Sequence, residues 1–436
     1  MTKKKAALHN LGCKVNAYET EAMQQLLEEN GYEIVPFAPG ADLYLINTCT
    51  VTNIADRKSR QMLHKARKMN PDAIVVAAGC YVQASAEDLV ADGSVDLIIG
   101  NNRKKDLISI LQEFEEGRKT EDTVIDMTHE KQYENLSVQK TAEHTRAYIK
   151  VQDGCNQFCS YCIIPYTRGR VRSRQEHEVL DEVRHLAQNG YQEVVLTGIH
   201  LSSYGVDTGS SLLSLIEQVH QVEGIKRIRL GSLEPGIITR DFAQKLSQME
   251  KFCPHFHLSL QSGCDTTLKR MNRRYTTQEY REKCEILREV FDQPALTTDV
   301  IVGFPGETEE EFAQTRLFLE EIKFFETHIF KYSRRKGTRA AAMENQVPDQ
   351  VKNDRSDELI RLNEKNQSAF EQSWSDRRVE VLCEEKIEID GEEYYSGHTK
   401  EYIRIAVRKE IGKENRILTG TLKKELKPHV RLCTID

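Results

Sequence analysis

The first hundred residues alternate short apolar runs with longer amphipathic segments. The apolar runs, each about the length of a β-strand, lie at 6–12, 32–37, 42–48 and 73–79. Between them, residues 19–31 and 56–69 repeat apolar positions at helical spacing, and Gly31 ends the first of these segments. Strands that alternate with helices predict a parallel sheet, so we expect a doubly wound, flavodoxin-like N-terminal domain.

The same alternation returns between residues 146 and 340. Six strand-like runs lie at 147–152, 193–199, 227–233, 255–261, 296–304 and 326–332. Six β/α units predict a partial, TIM-like (β/α)6 barrel, because eight units are needed to close the ring. The lateral gap that six strands leave is wide enough for a macromolecular substrate.

The pattern changes after Trp374, where five short strands follow one another with glycine-containing turns. Such strands predict a small β-barrel of the oligonucleotide-binding type. The chain therefore has an α/β organisation with an N-terminal domain, a polar linker, a larger barrel and a small barrel. We place these four parts at 1–110, 111–145, 146–373 and 374–436.

Composition narrows the class of protein. Of the 436 residues, 39% are hydrophobic and 30% are charged, as in ordinary globular proteins. No apolar run approaches the ~18 residues of a membrane span, and the basic N-terminus lacks the apolar core of a secretory signal. We therefore expect a cytoplasmic protein with no membrane partner. The net charge of −7 permits nucleic-acid binding only through basic patches.

Eleven cysteines in a chain expected in the cytoplasm indicate metal sites rather than disulfides. Three of them, Cys155, Cys159 and Cys162, have a C-x3-C-x2-C spacing that can bind three corners of an iron–sulfur cluster. Since a complete cage takes four ligands, one iron is left open to a substrate. A zinc site and three inert thiols are the alternatives, although no fourth zinc ligand lies nearby.

A second trio of cysteines is scattered through the N-terminal domain. Cys13, Cys49 and Cys80 each follow a predicted strand directly. Ligands of open α/β sheets bind outside the carboxyl ends of the strands, so these three thiols are expected to meet at one rim. The alternative is three unrelated core residues, because cysteine is often buried.

Both trios lie in stretches that resemble a known family. Residues 153–174, with Tyr161 before the last cysteine, resemble the signature of the radical S-adenosylmethionine (SAM) enzymes. The words LGCKVN (11–16), NTCTVT (47–52) and AGCYVQ (78–83) look like the N-terminal domain of the radical SAM methylthiotransferases, and the small barrel looks like their TRAM domain. The resemblance implies two 4Fe-4S clusters, one on each trio, with SAM and an electron donor such as flavodoxin or ferredoxin.

The resemblance also implies residues that contact SAM. The segments TGIHLSSYG, SLEP, LSLQSG and VIVGFPGET end successive strands and look like the SAM-contacting segments of the family. Barrel enzymes place their active sites at that end of the strands. The glycines have tight βα turns as their alternative explanation. The expected SAM contacts are Tyr161, Thr197, Gly198, Glu234, Gln261, Ser262 and Gly303.

Arginines are the expected RNA contacts. Four of them are spaced by two, which puts them on one face of an extended segment that could bind RNA phosphates or the SAM carboxylate. A solvated surface is the alternative. Residues 396–433 of the small barrel hold ten Lys/Arg and four Asp/Glu, and Tyr394, Tyr395 and Tyr402 nearby either stack on bases or fill the core. The arginines are Arg168, Arg170, Arg172, Arg174, Arg273, Arg274, Arg334 and Arg335.

The flanking words are nearest to the family branch that modifies N6-threonylcarbamoyladenosine in tRNA. The implied reaction adds a methylthio group to carbon 2 of that base at position 37, in the anticodon stem-loop. One SAM would donate a methyl group to sulfur at the N-terminal cluster, and a second SAM, cleaved at Cys155, Cys159 and Cys162, would give the radical that abstracts the hydrogen. The alternatives are methylthiolation of isopentenyladenosine or of a ribosomal protein and, in another class, a non-catalytic iron–sulfur RNA-binding protein.

Overall fold

The computed structural model describes residues 3–118, 123–140 and 145–436. The N-terminal domain is a five-stranded parallel sheet of order β2-β1-β3-β4-β5 with helices on both faces, which confirms the flavodoxin-like prediction. Its strands are β1 Lys5–Asn10, β2 Glu33–Ile34, β3 Leu43–Thr48, β4 Ile74–Gly79 and β5 Leu97–Ile99. Its helices are α1 Lys14–Glu29, α2 Asn53–Met69, α3 Cys80–Asp92 and α4 Leu107–Glu115.

The central strand β3 is buried along its whole length, because helices cover both faces of a parallel sheet. Leu43 and Leu45 pack against one layer of helices, and Tyr44 and Ile46 against the other. Strand β5 and helix α3 were not predicted from the sequence. Helix α4 continues beyond residue 110, where the linker is predicted to begin, because its apolar side chains pack into the first of these layers.

The larger barrel contains seven strands and seven helices. Its strands are β6 Ala147–Asp153, β7 Arg172–Ser173, β8 Glu193–Gly198, β9 Arg227–Leu230, β10 His255–His257, β11 Ala295–Val302 and β12 Glu326–Lys331. Its helices are α5 Ile164–Thr167, α6 Glu176–Gln188, α7 Leu212–His220, α8 Arg240–Ser247, α9 Asp265–Arg270, α10 Thr277–Val290 and α11 Glu309–Ile322.

Six of these strands form the partial barrel that the sequence predicts. They pair in the order β6-β8-β9 and β10-β11-β12, and parallel bridges from Ile228 to Phe252 and from Leu233 to Leu258 join the two groups. The short strand β7 is an antiparallel addition next to β6. Among the described residues no strand pairs β12 with β6, so the barrel is open on the side of the N-terminal domain.

Helix α12 (Asp349–Ser373) leads into a closed barrel of five strands of order β13-β14-β15-β17-β16. The barrel is docked on the larger one by two buried arginines: Arg227 binds Glu380, and Arg229 donates to the backbone oxygens of Lys400 and Thr399. In the described part of the chain, no helix has the length and apolar character needed to cross a membrane. The strands are β13 Arg378–Ile389, β14 Glu392–Thr399, β15 Arg404–Arg408, β16 Arg416–Lys427 and β17 Val430–Ile435.

Candidate active site

The fold brings Cys13, Cys49 and Cys80 to the carboxyl ends of the adjacent strands β1, β3 and β4. Cys13 stands at the start of α1, Cys49 follows β3, and Cys80 is the first residue of α3. Gly12 permits a close approach: a Cβ atom there would lie 2.9 Å from the Cβ and 3.0 Å from the Sγ of Cys49, and its φ is +108°. Cys49 therefore packs directly beside the residue that precedes Cys13.

Burial and mutual repulsion shape the chemistry of this trio. Burial raises the pKa of Cys49 to about 11, with smaller contributions from Cys80 and Cys13. Cys13 is exposed at this rim, yet desolvation by the surrounding protein raises its pKa, while Arg168 opposes the rise. Thiols with such pKa values are protonated near neutral pH. They would bind as thiolates only where a positive metal centre compensates their charge.

The second trio lies in the loop after β6. The backbone N–H of Cys155 donates to the oxygen of Gly169 at 3.0 Å, and that of Cys162 to the oxygen of Cys159 at 3.0 Å. A Cβ atom at Gly154, whose φ is +71°, would lie 1.8 Å from the oxygen of Arg170, so only glycine fits this fold of the loop. Burial raises the pKa of Cys155 to about 11 and that of Cys162 to about 12, and Cys159 adds to both.

The spacing of the sulfur atoms bears on which metal group fits. Among the described residues, the one set of three or more potential ligand atoms within 4.8 Å of one another belongs to His257, Asp299 and His328. Both cysteine trios are therefore spread more widely. A tetrahedral zinc with Zn–S bonds of about 2.3 Å would hold its sulfurs about 3.8 Å apart. The wider spacing and the all-thiolate donor set fit an iron–sulfur cluster better than one zinc ion.

Arg168 connects the two trios. Its Nε donates to the Sγ of Cys80 at 3.2 Å, while its neighbour Gly169 accepts the hydrogen bond from Cys155. The fully buried guanidinium also donates to Glu19 at 2.9 and 3.0 Å and to Asp153 at 3.1 and 3.2 Å. The loop that carries the second trio thus contacts the first trio at the junction of the two domains.

The carboxylate of Glu19 holds this junction together. It lies fully buried and pairs with Arg168, with Lys150 at 2.7 Å and with Lys104 at 3.2 Å. Burial alone would raise the pKa of Glu19, but Arg168, Lys104 and Lys150 together hold it well below its usual range. Glu19 is therefore ionised, and its charge is balanced by cations from both domains.

A second arginine contacts the trio of the larger barrel. Arg273 donates to the Sγ of Cys159 at 3.3 Å, to Glu234 at 2.6 Å and to the hydroxyl of Tyr275 at 3.0 Å. His200 lies 3.6 Å from Glu234 on the other side. Burial would raise the pKa of Glu234, but His200 and Arg273 lower it on balance. A carboxylate is thus held at the barrel mouth beside the cysteine loop.

Several other expected SAM contacts lie at the same mouth. Thr197 and Gly198 end β8, where a Cβ on Gly198 would lie 2.9 Å from Oε1 of Gln152. Tyr161 packs edge-on against Phe304 at 6.4 Å. Gln261 has a left-handed φ of 69° and is fixed by backbone hydrogen bonds to β11, which turns its side chain away from the regular strand direction.

Two of the expected SAM contacts are engaged elsewhere. The hydroxyl of Ser262 is fully buried and bonds that of Thr315 at 3.1 Å, so its contact with SAM stays a prediction that this bond does not support. Gly303 has φ +70°, and a Cβ there would lie 2.3 Å from Cγ of Lys352. The left-handed φ and this contact with α12 account for the glycine, and its approach to SAM stays a prediction.

Most of the expected RNA-binding arginines are buried, which contradicts the prediction of one exposed basic face. Arg172 donates to the oxygen of Arg168 at 2.9 Å, and Arg174 pairs with Glu182. Arg335 binds Asp56 and Thr50 of the N-terminal domain. The chain turns at Gly169, so Arg168, Arg172 and Arg174 point into the protein and share no exposed face with Arg170. Buried or nearly so are Arg168, Arg172, Arg174, Arg273 and Arg335; exposed are Arg170, Arg274 and Arg334.

An exposed aromatic pair lies beside Arg170. The guanidinium of Arg170 lies 4.4 Å from the ring centre of Phe158, which meets Tyr166 edge-on at 5.8 Å. Tyr166 is 50% exposed. We call Phe158, Tyr166 and Arg170 the aromatic patch. Arg170 is among the RNA contacts expected from the sequence, but sequence reasoning missed the two rings, although they lie in the same stretch as the second trio.

Polar side chains that sequence reasoning also missed line the barrel interior. His257 Nε2 lies 3.3 Å from Asp299, its Nδ1 bonds Thr297 at 3.1 Å, and its ring lies 5.5 Å from that of His328. Lys14, next to Cys13, is close enough to Asp299 for that carboxylate to raise its pKa, although burial lowers it more. We call this the barrel hollow. Its charged lining suits a polar group.

The chain is similar in sequence to known protein families and to known proteins. The Radical SAM superfamily matches residues 149–319, and the uncharacterized protein family UPF0004 matches residues 5–100. Threonylcarbamoyladenosine tRNA methylthiotransferase MtaB of Bacillus subtilis is 42% identical over 92% of this chain and 90% of its own length. MtaB of Aquifex aeolicus is 40% identical over 95% of this chain and 100% of its own. The tRNA-2-methylthio-N(6)-dimethylallyladenosine synthase of Acetivibrio thermocellus is 35% identical over 91% and 84%.

A solved structure agrees in fold. The radical SAM methyltransferase TsrM from Kitasatospora setae superposes with a TM-score of 0.58 over 76% of this chain and 75% of its own, at 16% identity. Membership of the radical SAM superfamily implies a 4Fe-4S cluster and SAM as cofactors. With relatives at 40–42% identity over nearly their whole length, the chain belongs to the radical SAM methylthiotransferase family and is an enzyme.

Proposed function

We propose that this enzyme adds a methylthio group to carbon 2 of N6-threonylcarbamoyladenosine at position 37 of tRNA. The observation that carries the proposal is the junction at Arg168, where one side chain contacts Cys80 and its neighbour contacts Cys155. This contact puts the two proposed cofactor sites at one domain junction, where both can serve one substrate. Relatives named for this substrate are 35–42% identical to the chain and relatives named for dimethylallyladenosine are 35–36% identical, so the higher identities belong to the first group.

The six cysteines are the proposed ligands of two 4Fe-4S clusters. Cys155, Cys159 and Cys162 would hold the radical SAM cluster, and Cys13, Cys49 and Cys80 a second one. When bound, these groups and SAM supply the radical and the methylthio group, which side chains cannot supply by acid–base chemistry. A flavodoxin or ferredoxin is the proposed electron donor.

The residues at the barrel mouth would hold SAM. Glu234 is fixed between Arg273 and His200, so its carboxylate is presented with little freedom to move. Thr197 and Gly198 at the end of β8, together with Gln261 after β10, would complete the mouth. Fixed polar groups of this kind position a ligand before reaction and exclude unproductive orientations.

The polar lining of the barrel hollow favours a base with a polar modification over a base with a hydrocarbon modification. Lys14, His257 and Asp299 line it, and burial of a dimethylallyl group against them would desolvate these charged and polar groups without new hydrogen bonds. The threonylcarbamoyl group carries a carboxylate, a hydroxyl and a urea that can form such bonds. Chemical complementarity therefore favours N6-threonylcarbamoyladenosine, the base for which the MtaB relatives are named.

The exposed cations would bind tRNA. Arg170, Arg274 and Arg334 lie on the surface, and the aromatic patch offers rings on which unpaired bases can stack. The basic segment 396–433 of the small barrel adds a surface for phosphates. Tyr402 does not take part, because it is packed between His255 and His398.

The substrate is tested with two anticodon stem-loops, one carrying N6-threonylcarbamoyladenosine and one isopentenyladenosine. The enzyme is reconstituted anaerobically with iron and sulfide and supplied with SAM and a reductant, and the nucleosides are analysed by mass spectrometry. We expect the methylthio product from the first stem-loop only. Product from the isopentenyladenosine stem-loop alone rejects the choice of substrate.

The same reaction tests the alternative of a non-catalytic RNA-binding protein. A catalytic protein forms 5′-deoxyadenosine from SAM. A protein with filled clusters that binds the stem-loop but forms no 5′-deoxyadenosine would support the non-catalytic alternative.

A further inference from the structure

Each cysteine trio receives one hydrogen bond from an arginine. Arg168 donates to the Sγ of Cys80 at 3.2 Å, and Arg273 donates to the Sγ of Cys159 at 3.3 Å. The side chain of Arg168 is fully buried, and that of Arg273 is 6% exposed. Water therefore competes little for either donor, and hydrogen bonds of charged donors are stronger than those of neutral ones.

Acidic partners hold both guanidinium groups in place. Glu19 and Asp153 bind Arg168, and Glu234 binds Arg273. These carboxylates offset much of the positive charge. What acts on each sulfur is thus mainly the directed N–H donor rather than a free cation.

We propose that Arg168 and Arg273 are positioning residues. Each raises the reduction potential of the cluster on the trio to which it donates, Arg168 through Cys80 and Arg273 through Cys159. The inference rests on the proposed function, because it needs a cluster on both trios. An N–H donor stabilises negative charge on a ligand sulfur, and a reduced cluster carries one negative charge more than the oxidised cluster. The donor therefore stabilises the reduced state more than the oxidised state.

The position of Arg168 in the chain has a further consequence for the N-terminal cluster. It belongs to the loop that carries the second trio, yet its hydrogen bond goes to the first. The loop of the radical barrel therefore tunes the N-terminal cluster. Arg273, which comes from the segment after α9, tunes the cluster held by the loop itself.

The test is a redox titration followed by electron paramagnetic resonance on the reconstituted full-length enzyme. The C49A and C155A variants, each of which lacks one cysteine of one trio, assign the two signals. We expect R168Q to shift the reduction equilibrium of the N-terminal cluster about tenfold toward the oxidised state, about 59 mV for a one-electron couple, and to leave the other cluster unchanged. R273Q is expected to shift the reduction equilibrium of the radical SAM cluster in the same direction and to leave the N-terminal cluster unchanged.

Lysine variants and an exposed arginine provide the controls. R168K keeps a positive charge between Glu19 and Asp153, so it serves if R168Q does not fold, and its potential is expected between those of wild type and R168Q. R184Q removes an arginine whose side chain is 55% exposed, and both potentials are expected to stay unchanged.

Unchanged potentials in R168Q and R273Q with full iron content would overturn the inference. Equal shifts of both clusters in either variant would also overturn it, because they indicate a general structural change. A wild-type protein that binds one cluster only would reject the two-cluster proposal and the inference with it. That result differs from two clusters whose potentials do not respond to the arginines.

Discussion

Tyr402 of the small barrel stacks on His255 of the larger barrel, with ring centres 4.7 Å apart and planes 5° apart. His398 stacks on the opposite face of Tyr402 at 4.5 Å, and the guanidinium of Arg229 lies 4.8 Å from its ring centre. One aromatic side chain thus packs the small barrel against the larger barrel. The small barrel is fixed to the larger barrel by side-chain contacts and is not a loosely tethered RNA-binding module.

Replacement of Tyr402 by alanine is expected to destabilise the whole enzyme. Loss of a large packed aromatic side chain costs about 3 kcal/mol, and here it also removes the stacking that joins the two barrels. Chemical denaturation of Y402A and wild type measures the change. V206A, at a side chain that is 76% exposed, is the matched control and should have wild-type stability. A Y402A protein as stable as wild type would contradict the proposed packing role.

The buried carboxylate of Glu19 predicts a specific response to acid. Its pKa in the folded protein is well below the ordinary value of 4.5, because Arg168, Lys104 and Lys150 outweigh the effect of burial. Its contribution to stability is therefore fully present above about pH 4.5 and is lost as the pH falls toward the folded-state pKa.

The E19Q variant isolates this contribution. The unfolding temperature, measured between pH 3 and 7, should fall less steeply below pH 4.5 in E19Q than in wild type. E19Q should also be less stable than wild type at pH 7, because three buried cations lose their partner. E28Q, at an exposed glutamate of the same helix, should follow wild type. Parallel curves for E19Q and wild type would show that the junction does not depend on this charge.

The aromatic patch predicts a defect in RNA binding that spares SAM chemistry. Loss of one base-stacking ring costs about 1–3 kcal/mol, so Y166A should weaken binding of the anticodon stem-loop about fivefold or more. Formation of 5′-deoxyadenosine without RNA should stay at the wild-type rate, because Tyr166 is not among the proposed SAM contacts. Fluorescence anisotropy measures the affinity.

A charge control separates stacking from phosphate binding. R170A should also weaken binding, and its salt dependence should be shallower than that of wild type by about one counterion. R240A, an arginine whose side chain is 56% exposed on α8, should bind like wild type. Wild-type affinity in both Y166A and R170A would exclude the aromatic patch from the RNA surface.

Much of the fold could be predicted because apolar spacing is a local signal. The runs that form β3, β4, β8 and β11 are long enough to be distinguished from their neighbours, and each precedes a turn. The strand β5 has only three residues and exists because β4 offers its edge, so its signal is not local. The same holds for β7, which has two residues and pairs with β6.

The side-chain environment of the site could not be predicted in the same way. The arginines from 168 to 174 have the spacing of an exposed strand face, but Arg168 is bound by Glu19, which is 149 residues away in the chain. Ser262 stands in a segment that resembles a SAM contact, yet its partner Thr315 lies on α11, 53 residues further along the chain. Such partners are tertiary, so no local pattern contains them.

The central claim is that methylthiolation needs both cysteine trios on one junction. The most direct measurement is a combined assay of 5′-deoxyadenosine and methylthiolated nucleoside for wild type, C49A and C155A under anaerobic conditions. Wild type should form both products, C49A should form 5′-deoxyadenosine without the methylthio nucleoside, and C155A should form neither. Methylthiolation by C49A at the wild-type rate would contradict the claim.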